Sequence, residues 1–311
     1  MLASLLTTGT ALADPAVALD RYSSGESPQD DFELSRARIA AHQHFGAQLA
    51  LDYAANPLVW EANDGTQVQV VGSQTTALFA INYSLWDRAT FFAAMPAILQ
   101  MSAADPYQSA QPEAEQIDSK GPGDLYFGAR VLAVGGEQDV GALAVQAALS
   151  VPTAGSIGQQ YYRGDKSVTF RPELIGELHP GAQSRVVLNL GAVVREDYEG
   201  TPYDVTDELT FALGFGIPVW LTSASSQLEA VAYVRGNTAF TNAFDAAYTP
   251  VEAVVGARYA RPNMTFGLAA GSGVSRGIGA PDFRLALTAG FVAPVLEAFS
   301  SNSQSTEVAK R

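Results

Sequence analysis

The chain has 311 residues, of which 47% are hydrophobic and 16% are charged, and its formal net charge is −14 at pH 7. This apolar content excludes an intrinsically disordered protein, and the acidic balance argues against nucleic-acid binding, which needs a basic surface. The absence of cysteine excludes disulfides, thiolate nucleophiles and cysteine-based zinc sites.

The first residues carry a weak export signal. Ala11-Leu12-Ala13 before Asp14 is typical of a small-x-small signal-peptidase site, although the usual positive charges are missing. An ordinary flexible N-terminus is the alternative. We expect a signal-peptide remnant over 1–13 and a periplasmic N-terminal arm over 14–41.

Alternation of apolar and polar residues, punctuated by Gly, Pro, Asn and Asp, predicts about twelve β-strands. Most of them exceed the five or six residues typical of soluble proteins and reach the roughly 9–11 residues with which a tilted strand crosses a bilayer. The predicted strands are 42–56, 68–83, 89–100, 123–134, 141–153, 166–179, 184–196, 205–217, 227–236, 250–260, 265–274 and 281–292.

The connections between these strands alternate in length. Short turns such as 85–88 and 180–183 alternate with long loops such as 101–122 and 237–249. This sorting is typical of outer-membrane barrels, in which the short turns are periplasmic. We therefore predict an all-β fold, a transmembrane antiparallel β-barrel of about 12 strands over 42–292, with short periplasmic turns and longer extracellular loops.

The two faces of the strands also favour a closed barrel. In 205–217, Leu209 and Phe215 lie on one face, while Thr210 and Gly214 lie on the other. Glycine weakens a strand, whereas a narrow lumen needs small residues where longer side chains meet. We expect the apolar face to contact lipid and the other face to line the lumen.

The inferred inner face carries acidic residues and arginines in similar numbers. An acid precedes an arginine by six positions in Asp124/Arg130, Glu229/Arg235 and Glu252/Arg258. Paired charges satisfy each other in a confined space, and arginine suits bidentate pairing, so we predict a salt-bridged, largely filled lumen. The alternative places several charges at strand ends in open water. The predicted lumen-lining charged residues are Asp52, Asp124, Arg130, Arg171, Glu173, Glu177, Arg185, Arg195, Glu208, Glu229, Arg235, Glu252, Arg258, Asp282 and Arg284.

Several stretches within 32–292 resemble the N-terminal barrel of a group of OmpA-family outer-membrane proteins, which is similar to outer-membrane transporter barrels. The resemblance implies an outer-membrane location and an envelope or transport role, and it implies no catalytic residues. Such proteins usually continue through a Pro-rich linker into a peptidoglycan-binding domain, whereas here 293–311 is a short polar tail. The matching stretches include His44-Phe45-Gly46-Ala47-Gln48-Leu49, Val151-Pro152-Thr153-Ala154, Tyr162-Arg163-Gly164-Asp165, Phe170-Arg171-Pro172-Glu173-Leu174 and Gly279-Ala280-Pro281-Asp282-Phe283-Arg284.

Signals for catalysis or metal binding are weak. His42 and His44 share a face at the start of the first strand, but two histidines without a placed carboxylate make a weak metal site. No serine motif accompanies them, as a barrel hydrolase would require. We expect no enzyme activity, no metal and no cofactor.

Two functions remain open for a barrel of this size. One is a narrow porin-like conduit for small solutes or ions, and the other is a structural envelope barrel with a salt-bridged, occluded lumen. A soluble secreted β-sandwich that acts as a binding module is a further alternative. For a barrel we expect a monomer in the lipid of a Gram-negative outer membrane, with both termini periplasmic and no nucleic-acid partner.

Overall fold

A computed structural model describes residues 24–61, 67–104, 116–117, 120–136, 139–154, 163–181, 184–197, 205–223, 226–275 and 277–295. The predicted signal-peptide remnant and most of the predicted C-terminal tail lie outside these residues.

The regular structure of the described chain is β-strand, apart from one short 3₁₀ helix, Ala246–Tyr248. Two short strands, β4 (Gln116–Ile117) and β5 (Gly121–Pro122), pair with the third long strand. The described residues contain no helix with the length and apolar character needed to cross a membrane. The twelve long strands are β1 (His44–Glu61), β2 (Gln67–Leu85), β3 (Ala89–Ala104), β6 (Leu125–Val134), β7 (Gly141–Val151), β8 (Thr169–Leu178), β9 (Arg185–Val193), β10 (Glu208–Ser223), β11 (Ser226–Ala239), β12 (Val251–Ala260), β13 (Met264–Ser275) and β14 (Phe283–Pro294).

The sheet closes on itself. From β6 to β14 each strand pairs antiparallel with the next one along the chain, and β3 pairs with both β2 and β6. The closing pair joins β1 to β14, from His44 opposite Pro294 to Ala55 opposite Phe283. The predicted twelve-stranded antiparallel barrel is therefore confirmed. The β-sandwich alternative is wrong, because a sandwich consists of two separate sheets.

Among the strands that run further than the sequence predicts, β1 and β10 continue beyond prolines, which bulges accommodate. β1 continues past Pro57 through a shift of register between Ala55 and Leu58, where Asn56 adopts a φ of 51°. β10 continues through Pro218 with a shift of register directly after it. An extra residue in one strand lets the ladder resume beyond a residue that has no N–H to donate.

Side chains alternate between an apolar outer surface and a polar inner surface. On β10, Leu213 and Phe215 are 55% and 51% exposed, whereas Glu208 is 3% exposed. On β7, Val145 is exposed, and Gln146 is buried. In a closed sheet the exposed face points outward, so the outer wall is the apolar surface expected of a barrel in lipid.

The chain that precedes β1 lies inside the barrel. We call residues 24–40 the lumen segment, and none of them is exposed. It makes a tight turn in which Asp31 and Leu34 exchange backbone hydrogen bonds of 3.0 Å. The sequence predicts an arm over 14–41 outside the barrel; the described part of that range instead occupies the lumen, where its charged and apolar side chains find partners.

Apolar side chains of the lumen segment pack against glycines of the wall. Phe32 and Leu34 are 2% and 0% exposed. A Cβ atom at Gly256 or Gly267 would lie 2.8 Å from the Phe32 ring, and one at Gly214 would lie 2.7 Å from Leu34 Cδ2. These inner-face glycines therefore make room for the segment.

Candidate functional site

The predicted lumen-lining charges lie on the inner wall or at its rim, with Asp282 as the exception. Asp282 is exposed in the connection before β14, where its carboxylate accepts a hydrogen bond of 3.0 Å from Asn56 Nδ2. The prediction for Asp282 is therefore wrong. The last strand begins at Phe283, not at 281, so the Asp282 side chain lies in the loop before it.

Two of the predicted acid–arginine spacings form complementary cross-strand pairs. In the register of β11 and β12, Glu229 lies opposite Arg258 and Arg235 lies opposite Glu252. Since the strands are antiparallel, the same spacing on both strands places each acid opposite an arginine. Glu229 Oε2 accepts a hydrogen bond of 3.1 Å from Arg258 Nη1.

Asp31 of the lumen segment joins this group of charges together with Arg185 of β9. Arg185 donates to both oxygens of Asp31 at 2.7 Å, and to both oxygens of Glu229 at 2.9 and 3.1 Å. Arg258 also donates to the Pro28 carbonyl at 2.8 Å. Bidentate bonds of this kind are the geometry in which buried ion pairs offset the loss of hydration.

A second group of buried charges surrounds Arg130. Its guanidinium donates to Asp30 at 2.7 Å, to Glu26 at 3.3 Å and to Gln146 at 2.7 Å. Burial raises the pKa of Glu26 to about 7, although the charge of Arg130 opposes the shift.

Further contacts hold the C-terminal half of the lumen segment. Arg36 Nη2 donates to Glu177 Oε1 at 2.7 Å, and the Ala37 amide donates to the other oxygen of Glu177 at 3.0 Å. Glu33 accepts a hydrogen bond from Arg235. The segment thus binds the wall through both acidic and basic side chains.

The remaining pairs connect strands of the wall. Arg284 contacts Asp52 on β1 and donates to Glu252 on β12 at 2.9 Å. Arg195, at the end of β9, lies 3.2 Å from Asp165 and 3.4 Å from Glu208.

A cavity of about 230 Å³ remains between the lumen segment and the long-loop end of the barrel. Glu26 and Ser35 of the segment lie on one side of it. Arg171, Glu173 and Asp124 line its wall. The lumen therefore contains a filled half near the short turns and, near the long loops, a space lined by charged and apolar side chains.

Comparison with known proteins identifies the fold. No family model and no curated protein matches the chain. An outer-membrane channel from Pseudomonas putida F1 is similar in structure, with a TM-score of 0.63 and 16% identity over 85% of this chain and 100% of that chain. The chain has the fold of an outer-membrane β-barrel. Two structures with lower scores are the translocator domain of the autotransporter NalP from Neisseria meningitidis (TM-score 0.48, 11% identity, 81% of this chain and 89% of that one) and the NanC porin (TM-score 0.45, 7% identity, 79% and 98%).

The histidines are engaged in local hydrogen bonds. His42 Nδ1 accepts from the Trp86 amide at 2.9 Å, and His44 Nδ1 lies 3.1 Å from the His42 carbonyl oxygen. In the part of the chain that the structure describes, no group of three or more His, Cys, Asp or Glu side chains is arranged to hold a metal ion.

The sequence analysis did not predict that charged residues of the lumen segment pair with charged residues of the barrel wall. The residues of the segment are Glu26, Asp30, Asp31, Glu33 and Arg36. The available signal was the run Asp30-Asp31-Phe32-Glu33-Leu34, in which acids alternate with large apolar residues just before the first strand. Large apolar residues such as Phe32 and Leu34 are mostly buried in folded proteins, so their presence argues against a solvated arm.

Proposed function

We propose that the protein is an outer-membrane barrel that conducts small solutes or ions through a lumen narrowed by the lumen segment. The observation that carries this proposal is the cavity of about 230 Å³, which lies inside the barrel and is lined by charges of both signs. Eight-stranded barrels are filled by side chains and sixteen-stranded ones leave a channel. Twelve strands with one inserted segment provide a space between these limits.

The same proposal places the protein in a Gram-negative outer membrane as a monomer. The exposed Leu, Val and Phe side chains of the outer wall support contact with lipid. The short-turn end, from which β1 starts and at which β14 ends, would face the periplasm, as the loop lengths suggest. Membership of the OmpA family is a further part of the proposal and rests on the motifs quoted above. We propose no enzymatic activity.

A structural barrel without transport is the second candidate. It is favoured by the network in which Asp31 and Glu229 are bridged by Arg185 and Arg258. Removing a buried charge from its partners is costly. In this second candidate the network therefore keeps the lumen segment permanently inside the barrel.

Single-channel conductance in a planar bilayer in potassium chloride separates these two functions. For a conduit we expect reproducible steps from the refolded protein. The double variant Asp30→Asn/Asp31→Asn should raise the step size, because it removes charges that hold the lumen segment against Arg130 and Arg185. The variant Asp282→Asn, which changes an exposed acid outside the lumen, is the control and should leave the steps unchanged.

Silent bilayers would support the structural barrel. That conclusion requires the wild type and the double variant to be folded, which far-ultraviolet circular dichroism and heat-dependent electrophoretic mobility report.

A further inference from the structure

Arg171 differs from the other arginines that line the lumen. The described chain offers Arg171 no ion pair, and its buried Nε lacks a hydrogen-bond partner. Its guanidinium lies over the Tyr126 ring, 5.9 Å from the centroid. Arg171 is partly buried, and a partly buried guanidinium without a carboxylate partner is stabilised by a bound anion. The arginines that do contact carboxylates are Arg130, Arg185, Arg195, Arg235, Arg258 and Arg284.

Two carboxylates in the same cavity have no ion pair in the described chain either, although the Ser35 side chain hydrogen-bonds Glu173 and the charge of Arg130 acts on it. Glu173 is two residues from Arg171 on the inner face of β8, so the two side chains project from one wall, roughly 7 Å apart along the strand. Asp124, just before β6, accepts backbone hydrogen bonds from Ala154 at 3.1 Å and Asp165 at 2.7 Å. Each carboxylate has lone pairs left for a cationic group.

The electrostatics of Asp124 agree with a site that is incomplete without a cation. Burial raises the pKa of Asp124 and the negative charge of Asp165 adds to the shift, while the two backbone hydrogen bonds and the charge of Arg171 oppose it. The raised pKa indicates that these groups do not fully compensate the loss of hydration.

We propose that the cavity binds α-amino acids, with the solute carboxylate on Arg171 and its ammonium groups on Glu173 and Asp124. This inference rests on the proposed function, because it names the class of solute for the same lumen. A basic amino acid has one carboxylate and two cationic groups, which match the guanidinium of Arg171 and the two carboxylates. The cavity of about 230 Å³ is smaller than the roughly 300–1,000 Å³ of pockets for drug-sized ligands, which suits a solute of this size.

Calorimetric titration of the refolded full chain tests the solute class. The probe is L-lysine, and its matched analogues are cadaverine, which lacks the carboxylate, and 6-aminohexanoate, which lacks the α-ammonium group. Lysine should bind about tenfold or more tightly than either analogue, because each analogue loses one charge-assisted contact. Equal affinities for lysine and cadaverine would overturn the inference.

Variants then assign the contacts. Arg171→Gln should weaken lysine binding about tenfold or more and leave cadaverine binding nearly unchanged, whereas Glu173→Gln should weaken the binding of both. Arg261→Gln is the matched control, because Arg261 also lies over a tyrosine, 5.8 Å from the Tyr259 centroid, but belongs to the turn after β12. Undiminished lysine affinity in a folded Arg171→Gln protein would contradict the inference.

Conductance of the same preparations distinguishes the inference from the proposed function. Conductance steps without lysine binding would retain the conduit and remove the amino-acid site. Lysine binding without conductance steps would retain the binding site and remove the conduit.

Discussion

Arg185 joins the lumen segment to the barrel wall. Its side chain is 2% exposed and bridges Asp31 of the segment and Glu229 of β11. Arg258 completes the group, with distances of 3.1 Å to Glu229 and 3.8 Å to Asp31. Two arginines thus face two carboxylates in a buried space, and loss of any one charge leaves another without compensation.

Replacing Arg185 with Gln should lower the free energy of unfolding by about 3–5 kcal/mol, because two buried carboxylates then share a single arginine. Urea titration of the barrel in lipid vesicles measures this change. Lys166→Gln is the control, since Lys166 pairs with Glu196 at 3.9 Å while the two side chains are 70% and 58% exposed. An exposed pair of this kind contributes about 0–1 kcal/mol. Similar losses in both variants would argue against a buried network.

At the scale of elements, the strands could be predicted from the sequence, and the lumen segment could not. The alternation that marks β7 is local, so the predicted range 141–153 nearly matches Gly141–Val151. The same alternation identified the wall charges. The lumen segment is fixed by contacts such as those of Asp31 with Arg185, 154 positions away. The alternation of acids with Phe32 and Leu34 indicates burial, but no local pattern says which wall residue each acid meets.

Gly267→Ala should displace the lumen segment, because the added Cβ would lie 2.8 Å from the Phe32 ring, while on its other side it would press on Oγ1 of Thr288 in the wall. Overpacking of this kind costs about 1–3 kcal/mol. We expect faster proteolysis within residues 24–40 and larger conductance steps. Gly176→Ala is the control, since its Cβ would meet only the Leu188 carbonyl at an ordinary 3.9 Å. Unchanged protection in Gly267→Ala would mean that Phe32 does not anchor the segment.

At the scale of the whole molecule, the two halves of the lumen differ in how their charges are paired. Near the short turns, the lumen segment and the wall form a paired network around Arg185. Near the long loops, Arg171 and Glu173 face a cavity without ion pairs in the described chain. The network holds the lumen segment against the wall, and the cavity is the space in which the proposed solute would bind.

The apolar outer wall gives a test of the membrane location that does not depend on the lumen. Leu213 is 55% exposed near the middle of β10, and Leu213→Arg should lower the free energy of unfolding in phospholipid vesicles by about 2–4 kcal/mol, because it places a charge against hydrocarbon. Phe244→Arg is the control, because Phe244 is 80% exposed in the connection between β11 and β12, beyond the strands. Little change is expected there. If Leu213→Arg changes the free energy of unfolding as little as Phe244→Arg does, the outer face of β10 contacts water and not lipid.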